Sequence, residues 1–130
     1  DRPVPVDVRV VLGDSMGEMA GYYGAADVAF VGGSLVPLGG QNLIEAIAMG
    51  APVLVGPHTF NFADAADGAV AAGAALRVAD ADAMLAAAAA LLGDASRREA
   101  MRSCAEGFLA AHRGAADRTW SFVAARLPPP

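Results

Sequence analysis

The stretch that decides the fold is residues 27–57, DVAFVGGSLVPLGGQNLIEAIAMGAPVLVGP. It holds two short apolar runs, residues 28–31 and 52–55, and glycine follows each of them. Continuous apolar runs of this length are typical of strands buried on both faces of a parallel sheet. Between them, residues 41–49 predict a helix, which ends at Gly50, where a C-terminal cap glycine belongs. The order strand, helix, strand predicts an α/β fold with a right-handed crossover.

The alternation of strands and helices continues on both sides of this stretch. Residues 6–12 are rich in valine and predict a strand, and Ser15 with Glu18 has the spacing of a capping box for the helix that follows. Beyond residue 57 we expect a helix over 63–72, a strand over 75–78 and helices over 80–92, 94–111 and 115–127, with residues 128–130 as a non-helical tail. The prediction is a parallel sheet with helices on both faces.

Composition excludes several classes of protein. The chain has 130 residues, a net charge of -5 and no lysine, so it lacks the clustered basic residues of a nucleic-acid-binding surface. The longest apolar stretch, residues 83–92, is shorter than the roughly 20 residues that span a bilayer. The single cysteine, Cys104, excludes an internal disulfide framework and a cysteine-cluster zinc site. Its place on the apolar stripe of the 94–111 helix predicts a buried side chain.

The most informative candidate site is Gly39-Gly40-Gln41-Asn42-Leu43-Ile44-Glu45. If the two glycines open a helix, its free N–H groups could hold a phosphate, and Asn42 could add an amide donor. Glu45, one turn further on, could accept hydrogen bonds from the hydroxyls of a ribose. The alternative is a well-capped helix in which Glu45 only complements the dipole. The glycine spacing matches neither a Walker loop nor a dinucleotide-binding fingerprint.

The other polar residues have simpler interpretations beside any functional one. Glu18 either completes the capping box or contacts a ligand through the Met16-Gly17 turn. His58 fits a structural loop histidine, and His112 fits a helix end, where its charge would suit the dipole. Residues Arg97, Arg98 and Arg102 predict a solvated helix face. The pattern indicates no catalytic group and no metal site, because the two histidines stand far apart.

Four motifs together resemble the 3-deoxy-D-manno-octulosonic acid (Kdo) transferases. They are GDSMGEM at residues 13–19, the tyrosine pair and ADVAFVGGSLV within residues 22–36, GGQNLIE at 39–45, and GPHTFNF at 56–62. The match runs from about residue 6 to residue 118, in the order and spacing of the family. Any one motif alone would be a weak signal.

The resemblance implies a bacterial glycosyltransferase of the GT-B type, of which this chain is part of the Rossmann-like C-terminal domain. Such an enzyme transfers Kdo from CMP-Kdo to a lipid A precursor in lipopolysaccharide synthesis, at the cytoplasmic face of the inner membrane, with no cofactor beyond the donor. By resemblance, the residues that contact CMP or shape its pocket are Met16, Gly17, Glu18, Gly32, Gly33, Ser34, Gly39, Gly40, Asn42, Leu43, Ile44 and Glu45.

The chain departs from the family pattern in two respects. Gln41 stands where the family usually has histidine, which puts any proton-carrying role at this position in doubt. The family's general-base glutamate, its acceptor-binding and membrane-associating region and a basic CMP-contacting motif belong to segments outside residues 1–130. The expectation is therefore a single truncated domain without transferase activity of its own. A free sheet edge would favour association with another copy.

Two other functions remain open from the sequence. One is a GT-B transferase or sugar-nucleotide epimerase domain that uses a UDP- or GDP-sugar. The other is a non-catalytic nucleotide-binding module.

Overall fold

The computed structural model describes residues 4–126, and for residues 115–118 the backbone alone. In chain order the elements are α1 (Met19–Gly24), β1 (Ala29–Phe30), α2 (Leu43–Ala48), β2 (Val53–Val55), a 3₁₀ turn (Phe60–Phe62), α3 (Ala63–Ala71), β3 (Ala75–Arg77), α4 (Ala81–Gly93), α5 (Ala95–His112) and α6 (Ala115–Ala124). The tail predicted at residues 128–130 lies outside the described residues.

The sheet consists of three parallel strands in the order β1, β2, β3. Ala29 of β1 lies opposite Val53 of β2, and Val53 lies opposite Ala75 of β3. All three residues of the central strand are buried, which is why its sequence is a continuous apolar run. The α/β fold with a parallel sheet, predicted from the sequence, is confirmed.

Helices cover both faces of the sheet, because the side chains of β2 alternate between two cores. Val53 and Val55 pack with buried residues of α2 and α3 and with Phe108 of α5. Leu54 points the other way, into a smaller core with Leu91 of α4 and Met101 of α5. Helix α5 therefore contributes to both cores and joins the two layers.

Asp80 and Asp94 explain where the two long helices begin. The side chain of Asp80 accepts a hydrogen bond from the Ala83 amide at 2.8 Å, and that of Asp94 accepts one from the Arg97 amide at 2.9 Å. These N-terminal caps satisfy amides that have no partner within the helix. The hydrogen bond from the Arg97 amide is also the main reason why the pKa of the Asp94 carboxyl lies below its usual range.

The strand predicted at residues 6–12 is wrong. This segment has no strand conformation, and its apolar side chains, Val6, Val10 and Leu12 among them, are largely exposed. A strand forms only where a neighbour satisfies its backbone groups, and no strand within residues 4–126 pairs with this segment. A high content of valine does not replace that partner.

The capping box predicted from Ser15 and Glu18 is also wrong. The Ser15 hydroxyl donates to the Glu18 carboxylate at 2.5 Å and lies 2.8 Å from the Tyr22 hydroxyl, while α1 begins only at Met19. The two side chains bond each other instead of the backbone amides that a capping box serves.

Two predictions about the burial of side chains on helix α5 are wrong. Cys104 is exposed, because the buried stripe of the helix runs through Met101, Ala105 and Phe108 and leaves the cysteine beside it. Arg97 is exposed as expected, but Arg98 and Arg102 are not freely solvated. Arg98 donates to the last carbonyls of α4 at 2.6 and 2.8 Å, and the Arg102 Nε donates to the Gly50 carbonyl at 2.9 Å.

Within residues 4–126, no helix is both long enough and apolar enough to cross a membrane.

The carboxyl ends of β1 and β2 are joined by one buried hydroxyl, that of Ser34. Its Oγ donates to the Val31 carbonyl at 2.5 Å and accepts a hydrogen bond from the Gly56 amide at 2.8 Å. The Ser34 carbonyl in turn accepts a hydrogen bond from the His58 amide at 2.9 Å. Ser34 is fully buried, so water has no access to these groups.

We expect Ser34→Ala to lower the free energy of unfolding by about 2 to 4 kcal/mol, because it leaves two buried backbone groups without a partner. Urea denaturation followed by circular dichroism measures this change. Ser103→Ala is the matched control: Ser103 is exposed on α5, and its replacement should change stability by no more than about 0.5 kcal/mol. Equal stability of the two variants would contradict the importance of the Ser34 hydroxyl.

Candidate functional site

Two hollows of the surface share Met19 and Glu45 in their lining, and together we call them the Glu45 cleft. One part, of about 440 Å³, is lined by Met19, Tyr23, Phe30, Gly32, Gln41, Asn42 and Glu45. The other, of about 430 Å³, is lined by Gly17, Met19, Ala20, Glu45, Ala48 and Met49. The cleft lies beyond the carboxyl end of β1, where open parallel sheets bind their ligands.

Asn42 positions Glu45 within this cleft. The Asn42 side chain is the N-terminal cap of α2, since its Oδ1 accepts a hydrogen bond from the Ile44 amide at 3.0 Å. Its Nδ2 donates to the Glu45 Oε1 at 3.1 Å. From the sequence we expected the Asn42 side-chain amide to donate to a ligand. In the structure it donates to the Glu45 carboxylate and orients it. The Glu45 carboxylate, which is exposed, keeps its remaining lone pairs for hydrogen-bond donors from solvent or a ligand.

Gly39 and Gly40 do not open the helix, which begins at Leu43. Both are buried and have positive φ angles, 88° and 71°, which favour glycine. The Gly40 amide donates to the Gly33 carbonyl at 3.1 Å, and the Gly39 carbonyl accepts from the Asn61 amide at 3.2 Å. A Cβ at Gly39 would overlap the Asn61 side chain. These glycines close the loop that precedes α2 and pack it against residues 58–61.

The structure gathers only some of the predicted site residues at the cleft, namely Gly17, Gly32, Asn42 and Glu45. The side chains of Leu43 and Ser34 are buried in the protein interior, and that of Ile44 packs against the core. Gly33 is an acceptor within the glycine loop. Met16, 96% exposed, and Glu18 line neither part of the cleft.

Among the lining residues that were not predicted, Met19, Tyr23 and Phe30 supply an apolar and aromatic wall. Met19 and Tyr23 recur on one face of the helix, and this apolar periodicity favoured a packing role. Burial, and to a smaller extent the negative charge of Glu45, raises the pKa of Tyr23 above its ordinary value of 10.0. The cleft therefore combines an exposed carboxylate with apolar and aromatic walls.

A second cavity, of about 340 Å³, lies at the carboxyl ends of β2 and β3, and we call it the Arg77 pocket. Its lining residues are Pro57, His58, Thr59, Phe60, Ala63, Asp67 and Arg77. Arg77 was not singled out in the sequence, because an arginine at the end of a short strand has no local signal. His58 lines this pocket, and its backbone amide donates to the Ser34 carbonyl.

Within the described part of the chain, no three histidine, cysteine, aspartate or glutamate side chains come together where they could hold a metal ion.

The raised pKa of Tyr23 gives a direct test of the cleft geometry. We expect Glu45→Gln to lower the pKa of Tyr23 toward 10.0 without reaching it, because burial, the larger cause, remains. Titration of tyrosinate absorbance measures this in a Tyr22→Phe background, where Tyr23 is the single tyrosine. Glu99→Gln, on an exposed face of α5, is the control and should leave the titration unchanged.

The raised pKa of Tyr23 also determines how the free energy of unfolding changes with pH. The folded chain keeps the Tyr23 proton to a higher pH than the unfolded chain, so stability is lost as pH rises above 10.0. Glu45→Gln should reduce that loss. An unchanged titration in Glu45→Gln would show that Glu45 does not lie beside Tyr23.

Similarity to known proteins points to one family. The chain is 61% identical over 112 residues to the 3-deoxy-D-manno-octulosonic acid transferase of Bordetella pertussis, which covers 86% of this chain and 26% of that protein. It is 43% identical over 113 residues to the transferase of the same name from Haemophilus influenzae, again 86% of this chain and 26% of that protein. The chain thus spans about a quarter of the length of these relatives. No family model matches the sequence.

A solved structure shares the fold. The crystal structure of the C-terminal CMP-Kdo binding domain of WaaA from Acinetobacter baumannii superimposes with a TM-score of 0.71 at 36% sequence identity. The match covers 75% of this chain and 51% of that one. The resemblance read from the four motifs is confirmed: the chain belongs to the Kdo transferase family and corresponds to part of its C-terminal domain.

Proposed function

We propose that this chain is the CMP-Kdo-binding part of a GT-B glycosyltransferase that transfers Kdo to a lipid A precursor in lipopolysaccharide synthesis. The observation that carries the proposal is the 61% identity to a Kdo transferase over a segment that contains the Glu45 cleft. The structural match to a CMP-Kdo binding domain supports the donor, and the cleft offers groups suited to a nucleoside.

We infer that the Glu45 carboxylate binds the ribose hydroxyls of the donor. This carboxylate is exposed at the start of α2, and the Asn42 amide holds one oxygen at 3.1 Å. A carboxylate held in this way is suited to accept hydrogen bonds from two neighbouring hydroxyls. Hydrogen bonds to a charged group contribute about 1.5 to 3 kcal/mol, enough to set the affinity for a small ligand.

The apolar wall of the cleft is suited to the pyrimidine base. Met19, Tyr23 and Phe30 present thioether and aromatic surface on one side of Glu45. Gly17 and Gly32 lack side chains there, so the backbone is open to close approach by a ligand. We assign base contacts to this wall. Met16 and Glu18 remain predicted contacts, which would have to approach the ligand from the turn that precedes α1.

The phosphate group of CMP is the part of the donor for which the Glu45 cleft offers the fewest suitable groups. Among the described residues that line the Glu45 cleft there is a carboxylate but no cationic side chain. The family resemblance places a basic CMP-contacting motif on residues outside this sequence. We therefore infer that the isolated chain binds CMP weakly and transfers no sugar.

The wider setting of the enzyme is also part of the proposal. We infer that the parent protein acts at the cytoplasmic face of the bacterial inner membrane, where the lipid acceptor would bind to a segment outside residues 1–130. Homo-association through the edge of β1 remains a prediction. It rests on the backbone groups of β1 that face away from β2, the strand with which β1 pairs.

Titration calorimetry with CMP tests the donor. We expect CMP to bind the chain and Glu45→Ala to weaken that binding by about tenfold, because the ribose hydroxyls lose a charged acceptor. Glu99→Ala is the matched control, since it removes an exposed carboxylate of α5 that lines neither part of the cleft. It should bind CMP as the unchanged chain does.

Competition among nucleotides separates the proposal from its alternatives. Tighter binding of UMP, UDP or GDP than of CMP would point to a transferase or epimerase with another sugar nucleotide. CMP binding that is insensitive to Glu45→Ala would overturn the assignment of the ribose. Failure of every nucleotide to bind would contradict a donor-binding function for this chain.

A further inference from the structure

The Arg77 pocket is a second polar site at the carboxyl edge of the sheet. It shares no lining residue with the Glu45 cleft. Two of its groups are held firmly: Thr59 is buried, with 7% of its surface exposed, and Arg77 donates to the Thr59 Oγ1 at 3.1 Å and to the Gly56 carbonyl at 3.0 Å. The guanidinium is therefore oriented before any ligand arrives.

The remaining side of the guanidinium is taken by a carboxylate that is free to leave. The Arg77 Nη2 lies 2.6 Å from the Asp67 Oδ1. The Asp67 side chain is 74% exposed, whereas that of Arg77 is 30% exposed. An exposed ion pair contributes at most about 1 kcal/mol, so an incoming anion has little to displace.

We propose that the Arg77 pocket binds an oxyanion, either a carboxylate or a phosphate monoester, and that Asp67 is its internal competitor. The Asp67 carboxylate occupies the position that such an anion would take, since it contacts the guanidinium through Nη2, the terminal nitrogen that Gly56 and Thr59 leave free. Thr59 and His58 also line the pocket, and the Thr59 Oγ1 lies 3.1 Å from the guanidinium. The volume of about 340 Å³ leaves room for a hydroxylated group attached to the anion.

This inference goes beyond the proposed donor site and does not depend on it. A ligand for the Arg77 pocket is recognised by negative charge, whereas the Glu45 cleft is suited to hydroxyl donors. The two candidate sources of the anion, a sugar acid and a phosphate ester, share the chemistry that the guanidinium recognises. Separate probes distinguish them.

The chain contains a natural control pair. Arg102 and Glu99 also form an exposed ion pair, 3.6 Å apart, with 39% and 75% of their side chains exposed. The Arg102 Nε donates to the Gly50 carbonyl, as Arg77 donates to that of Gly56. Substitution of this pair therefore changes net charge and exposed contacts in the same way, at a place away from the pocket.

The test is an NMR titration of backbone amides with inorganic phosphate and, separately, with gluconate as a hydroxylated carboxylate. We expect at least one probe to shift the amides of residues 58–63. Arg77→Gln should weaken that binding by about tenfold or more, and Asp67→Asn should tighten it by about two- to fivefold. Arg102→Gln and Glu99→Gln should leave it unchanged.

Arg77→Gln and Asp67→Asn are expected to change the affinity for the probe in opposite directions, so the proposal makes two separate claims that can fail. It is wrong if neither probe shifts these amides, if Asp67→Asn fails to tighten binding, or if Arg102→Gln weakens binding as much as Arg77→Gln. Should Arg77→Gln lose its fold, Arg77→Lys retains the charge without the planar fork and should bind the preferred probe more weakly than the unchanged chain does. Which probe binds more tightly identifies the source of the anion.

Discussion

The contact between Ser34 and Gly56 is the constraint on which the carboxyl edge of the sheet depends. The Ser34 hydroxyl bridges the Val31 carbonyl and the Gly56 amide, and the Ser34 carbonyl lies so close to Gly56 that a Cβ at that position would collide with it. The collision would be with backbone, which no side-chain rotation relieves. The ends of β1 and β2 meet at this distance only because residue 56 is glycine and residue 34 carries a short, buried hydroxyl.

The loop between β1 and α2 takes its path from this contact. The chain leaves Ser34, turns back so that the Gly40 amide reaches the Gly33 carbonyl, and rests on the turn at Asn61. Asn61 secures that turn, since its side chain donates to the Leu38 carbonyl at 3.2 Å. The loop ends at Asn42, at the start of α2, and the Asn42 side chain caps the helix and orients Glu45. The candidate cleft is thus a consequence of how two glycines close a loop.

Local patterns in the sequence were enough to predict the parallel sheet and the helices that cover it. The run at β2 and the cap residues Asp80 and Asp94 specify their elements through neighbours a few positions away. Residues 6–12 have an equally strong local pattern and no strand, because a strand also needs a partner that local sequence does not supply. The same limit applies to the candidate site. Glu45 was found through its place in a motif, whereas Arg77 was missed because its partners stand 10 to 21 residues away.

Glu45 and Asp67 show how the partner of a carboxylate decides what the carboxylate can recognise. An amide holds Glu45 and leaves its charge uncompensated, so the carboxylate attracts hydroxyl donors. Its charge also adds to the rise that burial causes in the pKa of Tyr23. A guanidinium holds Asp67, so that carboxylate is itself the anion at the Arg77 pocket. Because the Glu45 cleft and the Arg77 pocket both lie at the carboxyl edge of one sheet, two carboxylates with different partners give that edge two sites of different preference, one for hydroxyl donors and one for anions.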